Sequence, residues 1–327
     1  MKFVHIMLAA ALAATTTTGI KVNYIPMFDY DGNLLTTDAT VKLEHFENGV
    51  WVPRNLTTAE WAVVSEMNDT SYRESTLLDL YWDYSDKAGD DALELATLRA
   101  AQNESNFGPA YPFWRQHIIN GIPYVMITAR SHDPVNVKRA MEALMRKMLT
   151  SQEQHMLVKN FLSETAPIFG FDEREGWWKQ YFSDERNVWN TYMRGCQFFS
   201  VSNEWLDSRS SCATSALCKA KTVKDLVANS IPYKTRGEQP QVTVMSFYDD
   251  ERPNINAVKN IMEKELAIAH PEICFRVYDT SDLKGPAKQI DINEACKNIP
   301  LGDDWQSQFF LSNYRGGVRL FAFNEKN

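Results

Sequence analysis

The sequence predicts an α/β fold, a three-layer, Rossmann-like and mostly parallel sheet that carries helical cap insertions. Short apolar runs with the length and β-branched content of strands alternate along the chain with amphipathic helical segments. That order is typical of a sheet whose parallel strands are connected by helices. Three of the apolar runs end in polar or acidic residues, and parallel α/β sheets bind their ligands beyond the carboxyl ends of the strands.

The first predicted strand is the apolar run Lys21–Phe28, whose length and β-branched residues favour a strand over a helix. It ends at Asp29, and Asp31-Gly32-Asn33 then has the composition of a tight turn. If extended geometry persists to Asp31, the two aspartates point to the same side of the strand.

The second predicted strand is the near-continuous apolar run Tyr124–Ile127, which is typical of a strand buried on both faces. Thr128 lies at its end. Pro134 then opens a helix that reaches about Leu149, because apolar residues recur through this segment at helical spacing.

The rest of the chain continues the alternation of helices and strands. The further predicted elements are helix-like stretches at Thr58–Met67 and Asp90–Gln102, a strand at Phe198–Val201, a helix through Leu217–Val227, a strand at Val242–Phe247, a helix from Pro253 to Leu266 and a strand at Cys274–Tyr278.

A chain of 327 residues suits two average domains or one large α/β domain with insertions. We assign its segments to a core, to two cap or insertion segments, and to a C-terminal extension. The core takes 21–35, 116–149 and 196–290, the insertions 36–115 and 150–195, and the extension 291–327.

The charge of the chain argues against a broad nucleic-acid-binding surface. The formal net charge is −8 and the pI is near 5.4, so a phosphate backbone would be repelled unless a local basic patch intervened. Lys219, Lys221 and Lys224 are closely spaced, but Asp225 and other acidic residues offset them.

Residues 1–14 are interpreted as a signal peptide. Lys2 precedes an apolar run, Ala11-Leu12-Ala13 fits a small-x-small cleavage pattern, and the run is too short to span a bilayer. This predicts an exported protein, periplasmic or secreted, with no membrane span in the mature chain. A buried N-terminal helix in a cytoplasmic protein is the alternative.

The five cysteines are an odd number, so at least one lies outside any intramolecular bridge. Cys212 and Cys218 are close enough in sequence to pair in an exported protein. No pair has the spacing of a zinc site. We interpret the cysteines as ordinary thiols.

The ends of three predicted strands carry side chains suited to one site: Asp29 and Asp31, Thr128, and the pair Asp249-Asp250. Carboxylates that converge without a counter-charge repel one another, and a divalent cation relieves that repulsion. Oxygen ligands near a phosphate favour Mg²⁺. A lysine at the same place would hold the remaining negative charge of a phosphate.

Three stretches of the chain place polar residues directly after an apolar strand. They are Met27-Phe28-Asp29-Tyr30-Asp31-Gly32-Asn33, Val125-Met126-Ile127-Thr128-Ala129-Arg130, and Ser246-Phe247-Tyr248-Asp249-Asp250 followed by Asn254 and Asn256. These stretches resemble, in the same order, the first, second and fourth motifs of the haloacid dehalogenase superfamily. The resemblance extends over most of the chain, from about residue 22 to residue 280.

This resemblance implies a role for each matching residue. Asp29 would attack phosphorus and form an aspartyl-phosphate, and Asp31 would protonate the leaving alcohol and later activate water. Thr128 would bind the transferring phosphoryl group through a hydrogen bond. Asp249 or Asp250 would hold Mg²⁺ together with Asp29 and the backbone carbonyl of Asp31.

The third motif of the superfamily is a lysine, and Lys219 is our choice. Val223 and Leu226 follow it at helical spacing, as expected of a helix that leads away from the site. Lys221 is the alternative, and Lys234 also stays open.

The sequence departs from the superfamily pattern at Asn33, where Thr or Val is usual. An asparagine can still make the local backbone hydrogen bonds of such a turn. Other interpretations of the motifs also stay open. Asp249-Asp250 would suit a helix N-terminus, Thr128 would suit an N-cap, and Arg130 would suit either a substrate contact or a salt bridge.

The resulting prediction is a Mg²⁺-dependent phosphohydrolase that acts on a small phosphomonoester through an aspartyl-phosphate, with no nucleic-acid partner. One alternative is a catalytically silent ligand-binding protein on the same fold. Another is an exported interaction protein whose function lies in the aromatic-rich part of 150–195.

Overall fold

The structure is a computed structural model that describes residues 21–57, 60–61, 64, 67, 69–77, 79–165, 176–202, 212–230, 241–282 and 287–299. The predicted signal peptide, residues 300–327, Lys234 and much of the helix predicted over Thr58–Met67 lie outside these residues.

The described strands form two sheets. In chain order they are β1 (Lys21–Phe28), β2 (Val41–Glu47), β3 (Val50–Leu56), β4 (Tyr72–Glu74), β5 (Val125–Thr128), β6 (Gln197–Ser200), β7 (Gln241–Asp249), β8 (Ile273–Asp279) and β9 (Lys288–Asp291).

The central sheet has six strands in the order β6-β5-β1-β7-β8-β9. The five strands from β6 to β8 are parallel, and β9 pairs with β8 in the antiparallel direction. The predicted α/β fold with a mostly parallel sheet is therefore confirmed. Because β1 lies between β5 and β7, the three strand ends that carry predicted site residues are neighbours.

Helices cover both faces of the central sheet. One face carries Ala92–Ala100, Tyr111–Ile119, Pro134–Met148, Ser151–Asn160 and Glu185–Gly195, and the other carries Ser215–Ser230 and Arg252–Ile261. Ser151–Asn160 continues as a π-helical turn at Phe161–Thr165, Arg252–Ile261 continues through Met262–Leu266 to Ala267–Ala269, and a short helix spans Gly176–Tyr181.

Alternating side chains of the strands supply the two cores. In β1, Phe28 packs in the core of one face and Met27 in the core of the other, as the pleat of a strand requires. Phe28, Tyr248 and Tyr278 are aligned across three adjacent strands, and their rings stack with centroids 4.5 and 4.3 Å apart. This aromatic row supports the strand ends at which the candidate site lies.

The smaller sheet belongs to the first insertion and has the antiparallel order β3-β2-β4. Asn48 and Gly49 connect β2 to β3 with φ values of 50° and 87°, the backbone of a two-residue hairpin turn. The insertion therefore begins as a sheet and continues as helices, whereas the sequence predicted helices for it. The Asn-Gly pair between two strand-like runs was the signal for this hairpin.

Both insertion segments also contribute to the core of the first face. Trp114 comes from the segment 36–115 and Tyr192 from the segment 150–195, and both are completely buried there. The domain boundaries stay a prediction.

Cys274 of β8 and Cys296 form a disulfide. The two cysteines are 22 residues apart in sequence, so the disulfide closes a loop of the chain. The interpretation of all cysteines as ordinary thiols was therefore wrong for this pair. Antiparallel pairing of β9 with β8 carries the chain back past Cys274, which brings Cys296 to it. Cys212 and Cys218 are thiols, not a disulfide. Among the described helices, none has the length and apolar character needed to cross a bilayer.

Candidate active site

The candidate site lies at the carboxyl ends of β1, β5 and β7. Phe28 and Tyr248 are register partners, so Asp29 and Asp249 follow them on adjacent strands. The Asp29 N–H donates to the Tyr248 carbonyl oxygen at 3.0 Å, which continues the strand pairing by one residue. Thr128 ends β5 on the other side of β1. The parallel sheet thus brings together residues that are far apart in sequence.

Lys219 connects the two aspartates. Its Nζ atom lies 2.7 Å from Asp29 Oδ1 and 2.8 Å from Asp249 Oδ2, and all three side chains are buried. Lys219 is held there because Val223 and Leu226 follow it at helical spacing and pack on the sheet. Lys221 is two positions further along the helix and half-buried on a different face.

The charges of this cluster shift its pKa values. Burial raises the pKa of Asp29 well above its ordinary value, Lys219 opposes that shift, and Asp249 and Asp250 add to it. Burial raises the pKa of Asp250 to about 7, with a further contribution from Asp249. Burial alone would lower the pKa of Lys219, but Asp249 and Asp29 hold it above its ordinary value. The ammonium group of Lys219 thus lies beside a cluster of three carboxylates, those of Asp29, Asp249 and Asp250.

Asp29, Asp249 and Asp250 each have a carboxylate oxygen that lies within 4.8 Å of one oxygen of the other two. Asp250 packs against the turn after β1. Gly32 there has a φ of +69°, and a Cβ added to it would lie 2.4 Å from Asp250 Oδ2. Among the described residues, no hydrogen-bond partner faces the buried Oδ1 atom of Asp250. This oxygen-only set of ligands fits a hard divalent cation such as Mg²⁺.

Asp249 and Asp250 differ in how much of each carboxylate is occupied. Asp249 Oδ2 accepts from Lys219, and its Oδ1 accepts from the Glu251 N–H at 2.9 Å and from Asn254 Nδ2 at 3.1 Å. In the part of the chain that the structure describes, no group donates to Asp250 Oδ1. The geometry therefore favours Asp250 as a metal ligand and Asp249 as the partner that holds Lys219. The N-cap of the following helix, Arg252–Ile261, is Glu251, so neither aspartate occupies that position.

Asp31 is held by Arg130. The guanidinium donates from Nε to Asp31 Oδ2 at 2.9 Å and from Nη2 to Asp31 Oδ1 at 2.6 Å, a two-point contact. Arg130 is 1% exposed, and it lies against the rings of Tyr30 and Tyr84, 5.2 and 4.7 Å from their centroids. Of the two roles considered for Arg130, the structure shows the salt bridge.

The same arginine joins the site to the first insertion. Arg130 donates to Thr37 Oγ1 at 2.9 Å and to the Asp83 carbonyl oxygen at 3.2 Å. The next residue, Ser131, donates its N–H to the Tyr84 carbonyl oxygen at 2.9 Å. The insertion is therefore hydrogen-bonded to the loop that follows β5, directly beside Asp31.

Thr128 is buried, and its Oγ1 accepts from the Arg130 N–H at 3.2 Å. It does not cap the following helix. That role belongs to Asp133, whose side chain accepts from the Val135 N–H. Thr128 thus shapes the turn that carries Arg130 toward Asp31.

Asn33 is completely buried and makes three hydrogen bonds. Its Nδ2 donates to the Asp29 carbonyl oxygen at 3.1 Å and to the Tyr248 carbonyl oxygen at 2.9 Å, and its Oδ1 accepts from Thr280 Oγ1 at 2.7 Å. Sequence reasoning expected only local turn bonds from Asn33. Neither Thr280 nor its bond to Asn33 had a signal in the sequence.

No family model, no curated protein and no solved structure matches this chain. Its function must therefore be inferred from the chemistry of the site.

Proposed function

We propose that this protein is a Mg²⁺-dependent phosphohydrolase that cleaves phosphomonoesters through an aspartyl-phosphate on Asp29. One observation carries the proposal. A buried aspartate at the end of a central parallel strand contacts a buried lysine and shares its site with Asp249 and Asp250. The resemblance of the sequence to the haloacid dehalogenase superfamily supports the same chemistry.

The balance of charge supports a requirement for metal. Asp29, Asp31, Asp249, Asp250 and Glu251 supply five carboxylates around the site, whereas Lys219 and Arg130 supply two positive charges. An anionic phosphate would be repelled by this surplus. A divalent cation would offset part of it. Burial is the larger cause of the raised pKa values of Asp29 and Asp250, and neighbouring carboxylates add to both shifts.

In the proposed reaction a carboxylate oxygen of Asp29 forms a bond to phosphorus as the bond to the leaving oxygen breaks. Asp31 gives a proton to that leaving oxygen. In the second half, Asp31 takes a proton from water, the water oxygen bonds to phosphorus, and the Asp29 carboxylate is released with inorganic phosphate.

The other residues hold this arrangement. Lys219 fixes one oxygen of Asp29 and supplies positive charge beside the transferring group. Thr128, at the end of β5, would donate its hydroxyl to the phosphoryl group. Mg²⁺ held by Asp29, Asp250 and the Asp31 carbonyl would supply Lewis acidity and offset the charge of the phosphate.

A catalytically silent phosphate-binding protein is the second candidate, and one observation favours it. Both oxygens of Asp31 are occupied by the buried Arg130, so Asp31 must leave this contact or share it before it moves a proton. Turnover of a substrate distinguishes the two candidates.

We also propose that the protein is exported. The Cys274–Cys296 disulfide supports this, since disulfides persist in oxidising compartments. The predicted signal peptide at residues 1–14 points the same way. Sequencing the N-terminus of the mature protein tests it, and an intact Met1 in the mature chain would contradict export by cleavage.

The function is tested by phosphate release from p-nitrophenyl phosphate with millimolar Mg²⁺. Asp29→Asn keeps the shape of the side chain and removes the nucleophile, so we expect loss of turnover. We expect the variant still to unfold cooperatively, because Asp249 continues to pair with Lys219. Asp38→Asn, at an exposed aspartate paired with Arg99, is the matched control. Full turnover in Asp29→Asn, or in wild-type protein stripped of metal with a chelator, would overturn the proposal. An inactive wild type that still binds inorganic phosphate would indicate the silent binding protein.

A further inference from the structure

The Asn33 side chain links three parallel strands at the point where the site begins. It bonds the carbonyl oxygens of Asp29 and Tyr248, at the ends of β1 and β7, and the hydroxyl of Thr280, the residue that follows β8. Asn33 and Thr280 are both 0% exposed. We call this set of bonds the Asn33–Thr280 link.

Chemistry determines how the amide is oriented. Two carbonyl oxygens can only accept, so the NH₂ end of Asn33 must face them. The amide oxygen then faces Thr280, whose hydroxyl donates. Both donor hydrogens and the acceptor of the amide are therefore used, and a threonine or valine at this position could not make the same three bonds.

The link acts on the two aspartates that Lys219 joins. One bonded carbonyl is that of Asp29 itself, and the other, of Tyr248, immediately precedes Asp249. Thr280, at the other end of the link, donates its N–H to the Asp249 carbonyl oxygen at 3.0 Å. The backbones of both aspartates are thus bonded to the same buried pair.

The turn is also enclosed on its outer side. The Gly108 N–H donates to the Leu34 carbonyl oxygen and the Ala110 N–H to the Asn33 carbonyl oxygen, at 2.9 and 3.0 Å. A Cβ added to Gly108 would lie 2.2 Å from the Asn33 carbonyl oxygen. Asn33 therefore has little room to move away from the strand ends.

We propose that the Asn33–Thr280 link sets the position of the Asp29 carboxylate relative to Asp249, which makes Asn33 and Thr280 positioning residues for attack on phosphorus. This inference rests on the proposed phosphohydrolase function. It goes beyond that function because neither residue touches the reacting atoms. Small displacements of a nucleophile lower the rate of reaction much more than they weaken substrate binding.

Four variants test the link. Asn33→Leu keeps the branched arrangement of the side chain and removes all three bonds. We expect kcat to fall about 10- to 100-fold, with KM for p-nitrophenyl phosphate changed by less than about 3-fold. Thr280→Val removes one hydroxyl, and we expect kcat to fall about 3- to 10-fold. Thr280→Ser keeps the hydroxyl and should recover most of the kcat that Thr280→Val loses. In the double variant, Thr280→Val should add little to the loss from Asn33→Leu, because both substitutions remove the same bond.

The matched control is Thr191→Val. Thr191 is also buried and its hydroxyl donates to the Asn187 carbonyl oxygen at 2.8 Å, but it lies in the helix Glu185–Gly195, away from the site. We expect this variant to lose some stability and to keep wild-type kcat. If Asn33→Leu does not fold, the comparison of Thr280→Val with Thr191→Val decides the question.

Amide hydrogen exchange separates failure of the link from failure of the proposed function. The Asp29 and Thr280 N–H groups are both hydrogen-bonded at the strand ends, so they should exchange faster in Thr280→Val than in Thr191→Val, whether or not the protein has activity. If wild-type protein releases no phosphate, the proposed function fails while this readout still tests the link. The proposal for the Asn33–Thr280 link would be overturned if folded variants at Asn33 and Thr280 kept wild-type kcat. It would also be overturned if the exchange rates of both amides were unchanged in Thr280→Val.

Discussion

The Nζ atom of Lys219 lies 2.7 Å from Asp29 Oδ1, although 190 positions separate the two residues in sequence. Both side chains are buried, so water cannot take the place of either partner in the ion pair. A buried charge of this kind is stable only with its partner present. The pair therefore has consequences for stability as well as for chemistry.

We expect Lys219→Met to cost about 3–5 kcal/mol of unfolding free energy at pH 7, because it leaves Asp29 and Asp249 buried without a counter-charge. Urea unfolding without metal measures this loss. Lys224→Met on the same helix is the control. Lys224 pairs with Glu265 at the surface, where water screens the pair, so we expect little loss of stability from this variant. Equal losses in the two variants would contradict the buried pair.

We expect Asp250→Asn to raise the Mg²⁺ concentration needed for half-maximal activity by about 10-fold or more. It removes the carboxylate whose Oδ1 atom accepts no hydrogen bond from the described residues. Asp249→Asn should act mainly by loosening Lys219, with a smaller change in Mg²⁺ dependence and a larger fall in stability. Titrating activity with Mg²⁺ in both variants measures the difference. The reverse order of Mg²⁺ dependence would assign the metal to Asp249.

The raised pKa of Asp250 makes the stability of the metal-free protein depend on pH. Asp250 has a pKa of about 7 in the folded state and an ordinary value of 3.8, so the folded state binds its proton more tightly than the unfolded state does. This difference favours the folded state fully below about pH 4. That contribution is lost as the pH rises toward 7. We expect the melting temperature of metal-free wild type to fall more between pH 5 and pH 8 than that of Asp250→Asn. Parallel curves for the two proteins would show that Asp250 does not titrate in this range.

We expect Arg130→Lys to lower kcat about 10-fold or more, because one ammonium cannot hold both oxygens of Asp31 as the guanidinium does. Activity assays with purified variants measure it. Arg139→Lys, at a half-exposed arginine that pairs with Glu94, is the matched control and should stay near wild type. Wild-type kcat in Arg130→Lys would mean that the two-point contact has no part in turnover.

We expect replacement of Cys274 and Cys296 by serine to cost about 2–4 kcal/mol of unfolding free energy. The wild type should lose a similar amount when unfolding is measured with a reductant present. Serine at Cys212 and Cys218 should leave that sensitivity unchanged, since these residues are thiols. If the unfolding free energy of the wild type were the same with and without reductant, the disulfide would be contradicted.

Local patterns were enough to predict the five parallel strands of the central sheet, but not its antiparallel edge strand β9. Each of β1, β5 and β7 is a short apolar run followed by a polar residue, and a strand buried on both faces requires such a run. Parallel strands end at the same edge, so Asp29, Thr128 and Asp249 were expected to meet there. The helix through Lys219 was likewise predictable from the spacing of its apolar residues.

Other features depend on contacts between distant segments, which no local pattern specifies. The two-point contact of Arg130 with Asp31 needs the turns after β1 and β5 side by side. The disulfide needs β9 to fold back along β8. The bond of Asn33 to Thr280 joins residues 247 positions apart.

Burial and backbone periodicity are local properties, so the amino-acid sequence was sufficient to predict the α/β fold and the edge of the sheet at which the acidic residues gather. The folded arrangement was needed to show which oxygens accept hydrogen bonds, which basic residues pair with Asp29 and Asp31, and what holds Asn33. Hydrogen bonds and ion pairs depend on differences of less than an ångström between atoms that the chain brings together only when it folds.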